Sequence, residues 1–230
     1  FSIETDRTIN TNAIDNHKLY TTLLSYINYD DAKQLRNNLN RLNDCLEKRT
    51  LFHKAIQNNS KKCIDFFVCY YSSDKTLHDY FKYKDVNGNT PVNLACLMGN
   101  TFLVYTLAQK DIKANTSIYA PLDVNNKLEP PLFSAIRNGS YELIIYLSTH
   151  KYHKKSLNYK NILGHNSLHV ACLTPNKTFQ IIEYLIIHCP NIINLDNTIT
   201  QYTSMNNTNK VQKLVNPQSI LQNLKKLPVS

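Results

Sequence analysis

The chain has 230 residues, of which 42% are hydrophobic, and its formal net charge is +9. A chain of this size can bury the core of one or two domains. It contains no apolar run close to the roughly 20 residues that cross a bilayer, so we expect no insertion into a membrane. The chain starts without Met, and we expect it to be a fragment of a larger protein.

Charge and cysteine usage narrow the possible partners and compartments. The lysines are scattered, with short pairs such as Lys61–Lys62 and Lys154–Lys155, and no zinc-finger spacing occurs. This pattern favours a solvated basic surface over direct contact with nucleic acid. The six cysteines include no CxxC pair, which predicts free thiols and an intracellular location, cytoplasmic or nuclear.

Two helical patterns open the chain after a short extension. Residues 1–16 carry no clear pattern and are predicted to be an N-terminal extension. Residues 17–44 include "HKLYTTLLSYINYDDAKQLRNNLNRL", in which two apolar helical patterns are interrupted near Asn28 to Asp31. We therefore predict a pair of helices over 17–44.

A motif then recurs four times between residues 45 and 195. Its copies can be aligned on a shared first position, occupied by Thr50, Thr90, Pro130 and Asn166. Five residues further on, every copy has alanine: Ala55, Ala95, Ala135 and Ala171. Nine residues further on, the copies have Asn59, Gly99, Gly139 and Pro175. The recurrence predicts four repeats, at 45–84, 85–124, 125–160 and 161–195.

Each recurring position has a physical role in a helix–turn–helix unit. Thr90 and Pro91 suit the N-cap and the first turn of a helix. Alanine is small enough to let two helices approach closely, so replacing Ala95 by Leu should overpack the core. Gly99 tolerates the positive φ of a turn, and Asn59 is the next best residue there. Apolar residues three apart, such as Val104 and Leu107, predict a second helix.

The second copy, "DVNGNTPVNLACLMGNTFLVYTL", resembles an ankyrin repeat, and "NILGHNSLHVACL" in the fourth copy matches the same pattern. The resemblance implies an all-α ankyrin-repeat solenoid of stacked helix–turn–helix units with β-hairpin-like turns. By the same scheme, 17–44 is an N-terminal capping repeat and 196–230 is a degenerate last repeat or cap. His53 and His169 occupy the ankyrin position whose imidazole hydrogen-bonds the backbone of the neighbouring turn. Asn93 and Phe133 replace that histidine in the other two copies.

The copies are longer than the usual unit of about 33 residues. The surplus falls after the second helix of each of the first three copies, in residues 70–84, 109–124 and 149–161. Longer second helices or enlarged turns would both absorb it, and the sequence leaves the two alternatives open.

The resemblance also implies which residues contact a partner. In ankyrin proteins these lie at the tips of the turns and at the exposed end of each first helix. Stacking would set Arg137 beside Leu97 and Met98, where its guanidinium could clamp a carboxylate of the partner. The predicted partner-binding residues are Gln57, Asn58, Val86, Asn87, Asn89, Leu97, Met98, Lys127, Glu129, Arg137, Asn138, Leu163, His165 and Leu173.

The sequence therefore predicts a non-catalytic module that binds a partner protein or peptide through a concave surface. No nucleophile with a base, phosphate-binding glycine loop or set of metal ligands is visible, so we expect no enzyme activity, cofactor, metal or small-molecule substrate. Two alternatives remain. One is a regulatory ankyrin domain of a transcription-factor complex, similar to the inhibitors of NF-kappa-B. The other is a targeting module of a larger enzyme or effector.

Overall fold

The computed structural model describes residues 3–42, 46–73, 75–114, 123–149, 154–157, 159–174 and 179–188. Within these ranges every regular element is a helix, which confirms the predicted all-α class. The elements are α1 Ile3–Asn28, α2 Ala32–Leu39, α3 Leu46–Gln57, α4 Lys61–Ser73, a 3₁₀ helix Lys75–Phe81, α5 Pro91–Leu97, α6 Thr101–Ala114, α7 Pro131–Asn138, α8 Tyr141–Thr149, α9 Lys154–Leu157, α10 Ser167–Leu173 and α11 Phe179–His188. The cap predicted over 196–230 lies outside the described residues. Helix α1 is continuous through residue 16, where the predicted extension was expected to end.

The chain divides into two compact units. One consists of Phe1–Leu94 and Tyr105–Tyr119, and the other of Ala95–Val104 and Ala120–Ser230. In the first unit, α1 packs against α3 and α2 packs against α4. In the second unit, α7 packs against α10 and α8 packs against α11. First helices therefore stack on first helices and second helices on second helices, as in a helical repeat array.

The alanine repeated in register lies on the buried face of each first helix. Its four occurrences, at 55, 95, 135 and 171, are all fully buried. The apolar residues three apart on the second helices are buried as well, including Val104 and Leu107 and the corresponding Ile182 and Leu185 of the fourth copy. The register read from the sequence is confirmed, because a shift of one residue would turn these side chains off the buried face.

The turn inside each of the helix pairs α3–α4, α5–α6 and α7–α8 has the backbone conformation that the sequence predicted. Asn59, Gly99 and Gly139 have φ of 54°, 69° and 78°. Asp30 has φ of 54° in the turn between α1 and α2, and its carboxylate accepts hydrogen bonds from the amides of Lys62 and Cys63 at the start of α4, at 3.2 and 3.0 Å. A carboxylate in that place satisfies free amides of a helix N-terminus, so it ties the first helix pair to the second.

The surplus residues after α4 and α8 form short additional helices. The 3₁₀ helix Lys75–Phe81 follows α4, and its Phe81 is buried against Phe52 and Tyr71, with ring centroids 5.9 and 5.8 Å away. Helix α9 follows α8, and the carbonyl of Leu157 accepts a hydrogen bond from the Ser167 hydroxyl at 2.9 Å. At these two places part of the surplus is helical, in a short helix distinct from α4 or α8.

Candidate functional site

Three short loops with the same hydrogen bonds precede α5, α7 and α10. We call them fingers, and they are residues 85–89, 125–129 and 161–165. In each finger the amide of the first residue donates to the carbonyl of the fifth, at 3.0, 3.1 and 3.0 Å. The amide of the fourth residue donates to the carbonyl of the first, at 2.8, 2.9 and 2.9 Å. The three loops are therefore closed in the same way, as the hairpin-like turns predicted from the sequence.

An Asp or Asn at the first position braces each finger from inside. The side-chain oxygen of Asp85 accepts hydrogen bonds from the amides of the third and fifth residues, at 2.9 and 2.8 Å. Asn125 and Asn161 make the same pair of bonds at 2.9 to 3.1 Å. Such local side-chain bonds hold a turn in one conformation. The sequence carried this signal in the Asp or Asn that stands five residues before the aligned first position.

The fourth residue of each finger has a left-handed backbone. Gly88 and Gly164 have φ of 76° and 75°, and Leu128 has φ of 57° at the same place. Because Leu carries a Cβ, this conformation costs it free energy that Gly does not pay. The side chain of Leu128 is exposed, so burial gives little in return.

The two fingers of the second unit are bonded to each other. The amide of Ile162 donates to the carbonyl of Lys127 at 3.0 Å. The Glu129 carboxylate accepts a hydrogen bond from the Asn161 side-chain amide at 3.1 Å, and the Arg137 guanidinium reaches it by two bonds, at 3.1 and 2.5 Å. Glu129 is 2% exposed. Burial alone would raise its pKa, but the bonds from Arg137 and Asn161 outweigh burial and lower the pKa below the ordinary 4.5.

This pairing corrects one expectation about Arg137. Its guanidinium was expected to be open to a carboxylate of a partner, and it is bound instead to Glu129 within the chain. A fork of two parallel hydrogen bonds holds Arg in one geometry. We therefore assign Arg137 to the support of the finger, although its side chain is 39% exposed.

His53 makes a hydrogen bond to the finger 85–89, as the resemblance implied. Its Nε2 lies 3.0 Å from the carbonyl oxygen of Asn89. A carbonyl only accepts, so the neutral ring carries its proton on Nε2. Burial is the largest effect on the ring and lowers its pKa below 6.5. The buried neutral histidine thus fastens the first helix pair to the finger that follows.

His169 has a different set of described contacts. Its Nδ1 lies 2.7 Å from the side-chain oxygen of Asn166, and its ring stacks on that of His165 with centroids 5.4 Å apart. Burial lowers its pKa, and the nearby charges of His165 and Lys160 add to that effect. The turn that would follow its repeat lies outside the described residues.

Asparagines also join the ends of neighbouring first helices. Asn138, at the end of α7, donates from Nδ2 to the carbonyl of Leu97 at the end of α5, at 3.0 Å. Asn58, one residue after α3, donates to the side-chain oxygen of Asn28 at 2.6 Å. Each asparagine therefore links its own repeat to the one before it.

Residues 12–118 match a family model described as ankyrin repeats, in three copies. Residues 12–118 carry ankyrin repeats. The matched range runs from within α1 to beyond α6, and the structure places the further helix pairs α7–α8 and α10–α11 after it. Ankyrin repeats are generally protein-binding and typically non-catalytic. The comparison with curated proteins found no match.

The structure separates the sequence-predicted contact residues by exposure. Asn89 and Glu129 are buried, and their side chains bond inside the ankyrin fingers, so they are not part of an open surface. Asn138 and His165 are half-buried. The exposed members are Gln57, Asn58, Val86, Asn87, Leu97, Met98, Lys127, Arg137, Leu163 and Leu173.

Leu128, an exposed apolar residue at a finger tip, was missed by sequence reasoning, whereas Ile162 stands at a position that the ankyrin resemblance assigns to partner contact. Leu128 is 44% exposed and Ile162 is 61% exposed. Ile162 stands at the second position of its finger, as Val86 does in the finger before α5. An apolar residue between a turn-forming Asn and Gly predicts an exposed apolar side chain, because the tip of a closed loop does not face the core.

The buried cysteines of the ankyrin helices belong to the core. Burial raises the pKa of the Cys172 thiol to about 12 and that of Cys96 still further. Thiols with such pKa values are protonated at neutral pH and make poor nucleophiles. Among the described residues no group of three or more His, Cys, Asp or Glu side chains is arranged to hold a metal ion, and none of the described helices is long and apolar enough to span a bilayer.

Proposed function

We propose that the chain is a non-catalytic module that binds a partner protein or peptide through its ankyrin fingers and the exposed ends of its first helices. The observation that carries the proposal is the concentration of exposed apolar side chains at those places. Leu163 is 70% exposed and Val86 is 91% exposed. Large apolar side chains left exposed at loop tips and helix ends are typical of a surface that another protein covers.

The rigidity of the fingers supports the same function. Each finger closes four hydrogen bonds within five residues, and the two fingers of the second unit are bonded to each other. A surface that is already ordered loses less conformational entropy when a partner binds. Each finger thus holds its own tip residues in a fixed conformation.

We place this binding inside the cell. The cysteines of the described helices, such as Cys63 and Cys172, are free thiols. Free cysteines are typical of the reducing cytoplasm and nucleus. The predicted regulatory and targeting roles are both consistent with such a location and differ in the partner.

Capture from a cell extract tests the proposal. The paired change Met98→Asp and Leu163→Asp introduces charge at two exposed apolar positions without touching the core, so the melting temperature should stay within a few degrees of the wild type. We expect the bound partner to be lost. Tyr29→Ser is the matched control, because Tyr29 is 85% exposed but lies in the turn between α1 and α2. Equal capture by all three proteins would contradict the proposal.

A further inference from the structure

The chemistry of one connected surface in the second unit indicates which kind of partner it accepts. We define the finger surface as residues 125–129 and 161–165 together with the first-helix ends 97–98, 137–138 and 173–174. Its two fingers are joined by the Ile162–Lys127 backbone bond and the Asn161–Glu129 bond, the end of α7 is joined to the finger 125–129 by the Arg137–Glu129 pair, and the ends of α5 and α7 are joined by the Asn138–Leu97 bond.

The apolar content of the finger surface is large for an open face. Its exposed apolar side chains, between 38% and 70% accessible, are Leu97, Met98, Leu128, Ile162, Leu163 and Leu173. They lie at two helix ends and two finger tips, so the apolar area is divided into several small contact points. An extended or helical peptide with several spaced apolar side chains fits this arrangement better than a single bulky anchor does.

The charge of the finger surface has one sign. Its carboxylate, Glu129, is buried and neutralised by Arg137. Lys127 is exposed within it, and Lys160 is exposed directly before the finger 161–165. The accessible uncompensated charge is therefore positive, in a chain whose formal net charge is +9. Opposite charges across an interface guide encounter and fix register.

From these two observations we infer that the finger surface binds an acidic peptide segment in which carboxylate and apolar residues alternate or are interspersed. Apolar side chains of the segment cover the exposed leucines, isoleucine and methionine, and its carboxylates lie near Lys127 and Lys160. The inference rests on the proposed function and specifies the partner of that same surface. A nucleic acid fits this surface less well. Apolar side chains do not bind phosphates, and two lysines can neutralise the charge of only a few phosphates.

Selection from a library of random peptides displayed on phage tests the inference. Peptides retained by the wild-type protein are eluted and sequenced, and the strongest are synthesised and their dissociation constants measured. We expect an excess of Asp and Glu together with Leu, Ile or Phe. The paired change Lys127→Glu and Lys160→Glu should weaken binding about tenfold, with a smaller loss at high salt. Lys33→Glu with Lys61→Glu is the matched control and should change binding less than twofold, because both lysines are exposed on helices of the first unit.

The outcomes separate this inference from the proposed function. Neutral or basic peptides that bind wild type but not the Met98→Asp, Leu163→Asp variant would overturn the inference and leave the proposed function standing. Peptides that bind both proteins equally would count against both. A wild-type dimer in analytical ultracentrifugation that the Leu163→Asp change dissolves would assign the surface to a second copy and overturn the inference. Salt-sensitive capture of a random-sequence single-stranded DNA in place of peptides would overturn it as well.

Discussion

Glu129 and Arg137 form a fork of two hydrogen bonds in which the carboxylate is buried and the guanidinium lies at the edge of solvent. The carboxylate also accepts a hydrogen bond from the side-chain amide of Asn161 in the next finger. One buried charge therefore holds the end of α7 and two fingers together. The arrangement explains why Glu129, although placed among the expected contact residues, faces inward.

Replacing Arg137 by Ala should destabilise the fold. The change leaves a buried carboxylate with fewer hydrogen-bond partners, and such a loss lowers the free energy of unfolding by about 1–3 kcal/mol. Because Arg137 is partly exposed, we expect a value in the lower half of that range. Urea denaturation of wild type, Arg137→Ala and Arg137→Lys measures it, with the Lys variant intermediate. The pKa of Glu129 is lowered in the fold, so the contribution of the pair is present above the unfolded pKa of about 4.5 and lost as pH falls below it. An Arg137→Ala penalty that does not shrink in acid would contradict the assignment.

Leu128 and Gly164 occupy the same position in two fingers, and we expect substitutions there to change stability in opposite directions. Leu128→Gly should stabilise the protein by up to ~1 kcal/mol, because relief of the left-handed strain exceeds the added entropy of the unfolded chain. Gly164→Ala should destabilise it by ~1 kcal/mol. A Cβ on Gly164 would meet no atom within 4 Å, so its cost is one of backbone conformation alone. Thermal unfolding of both variants, with Leu128→Ala as a control that keeps the Cβ, checks the signs. A loss of stability in Leu128→Gly would show that the side chain contributes more than its exposure suggests.

Asn161→Asp tests why an amide stands at the first position of this finger. The substitution keeps the oxygen that accepts the two amides of the finger, but it removes the donor to Glu129 and sets a second carboxylate beside the first. We expect a loss of about 1–3 kcal/mol at neutral pH that diminishes as the pH falls toward 4. Asn125→Asp keeps the corresponding pair of hydrogen bonds and should cost less than Asn161→Asp. Equal penalties in the two variants, measured by chemical denaturation, would rule out the proposed role of the Glu129 contact.

His53→Asn should change the pH dependence of stability. The folded pKa of His53 lies below its unfolded value of about 6.5. Between those two pKa values the unfolded chain binds more protons, so wild-type stability is complete above pH ~6.5 and falls as the pH drops, by at most about 1.4 kcal/mol per unit for one group. Asn occupies the same position in the next repeat, at Asn93, where it is fully buried. Unfolding of wild type and His53→Asn between pH 7.5 and about 5 should give a shallower slope for the variant. Parallel slopes would indicate that His53 is not the responsible group.

Ala135→Leu should overpack the contact of α7 with its neighbours. Ala135 is fully buried on α7, which packs against both α8 and α10. Added methylenes in such a place cost ~1–3 kcal/mol. Leu97→Ala is the matched control on a first helix, because Leu97 is exposed and its truncation should stay within ~0.5 kcal/mol. A variant Ala135→Leu with the wild-type melting temperature would show that space remains beside Ala135.

The sequence predicted the parts of the fold that depend on local pattern. Buried alanines, positive-φ turns and the stripe of the second helices follow from residue size and periodicity, and Ala95, Gly99 and Val104 lie where that pattern puts them. The histidine position was predicted for a different reason, because a family resemblance supplied a contact 36 residues away, between His53 and Asn89.

Contacts between repeats were harder to predict. Nothing in the spacing of Glu129, Arg137 and Asn161 shows that they meet, since they come together only when α7 stacks on α10 and the fingers align. The position of a residue within the repeat predicts which face it lies on, but it does not show whether its polar atoms already have hydrogen-bond partners. For that reason Glu129 and Asn89 were assigned to the open surface, and Leu128 was overlooked.

The 3₁₀ helix after α4 limits how this protein can be shortened or recombined. Removing the residues beyond the usual ankyrin length would delete Phe81, whose ring fills space between Phe52 and Tyr71. A consensus repeat inserted in its place would leave those rings beside a void. The repeat α3–α4 therefore cannot be replaced by a consensus repeat alone. A chimaera has to exchange this helix pair together with the segment that follows it.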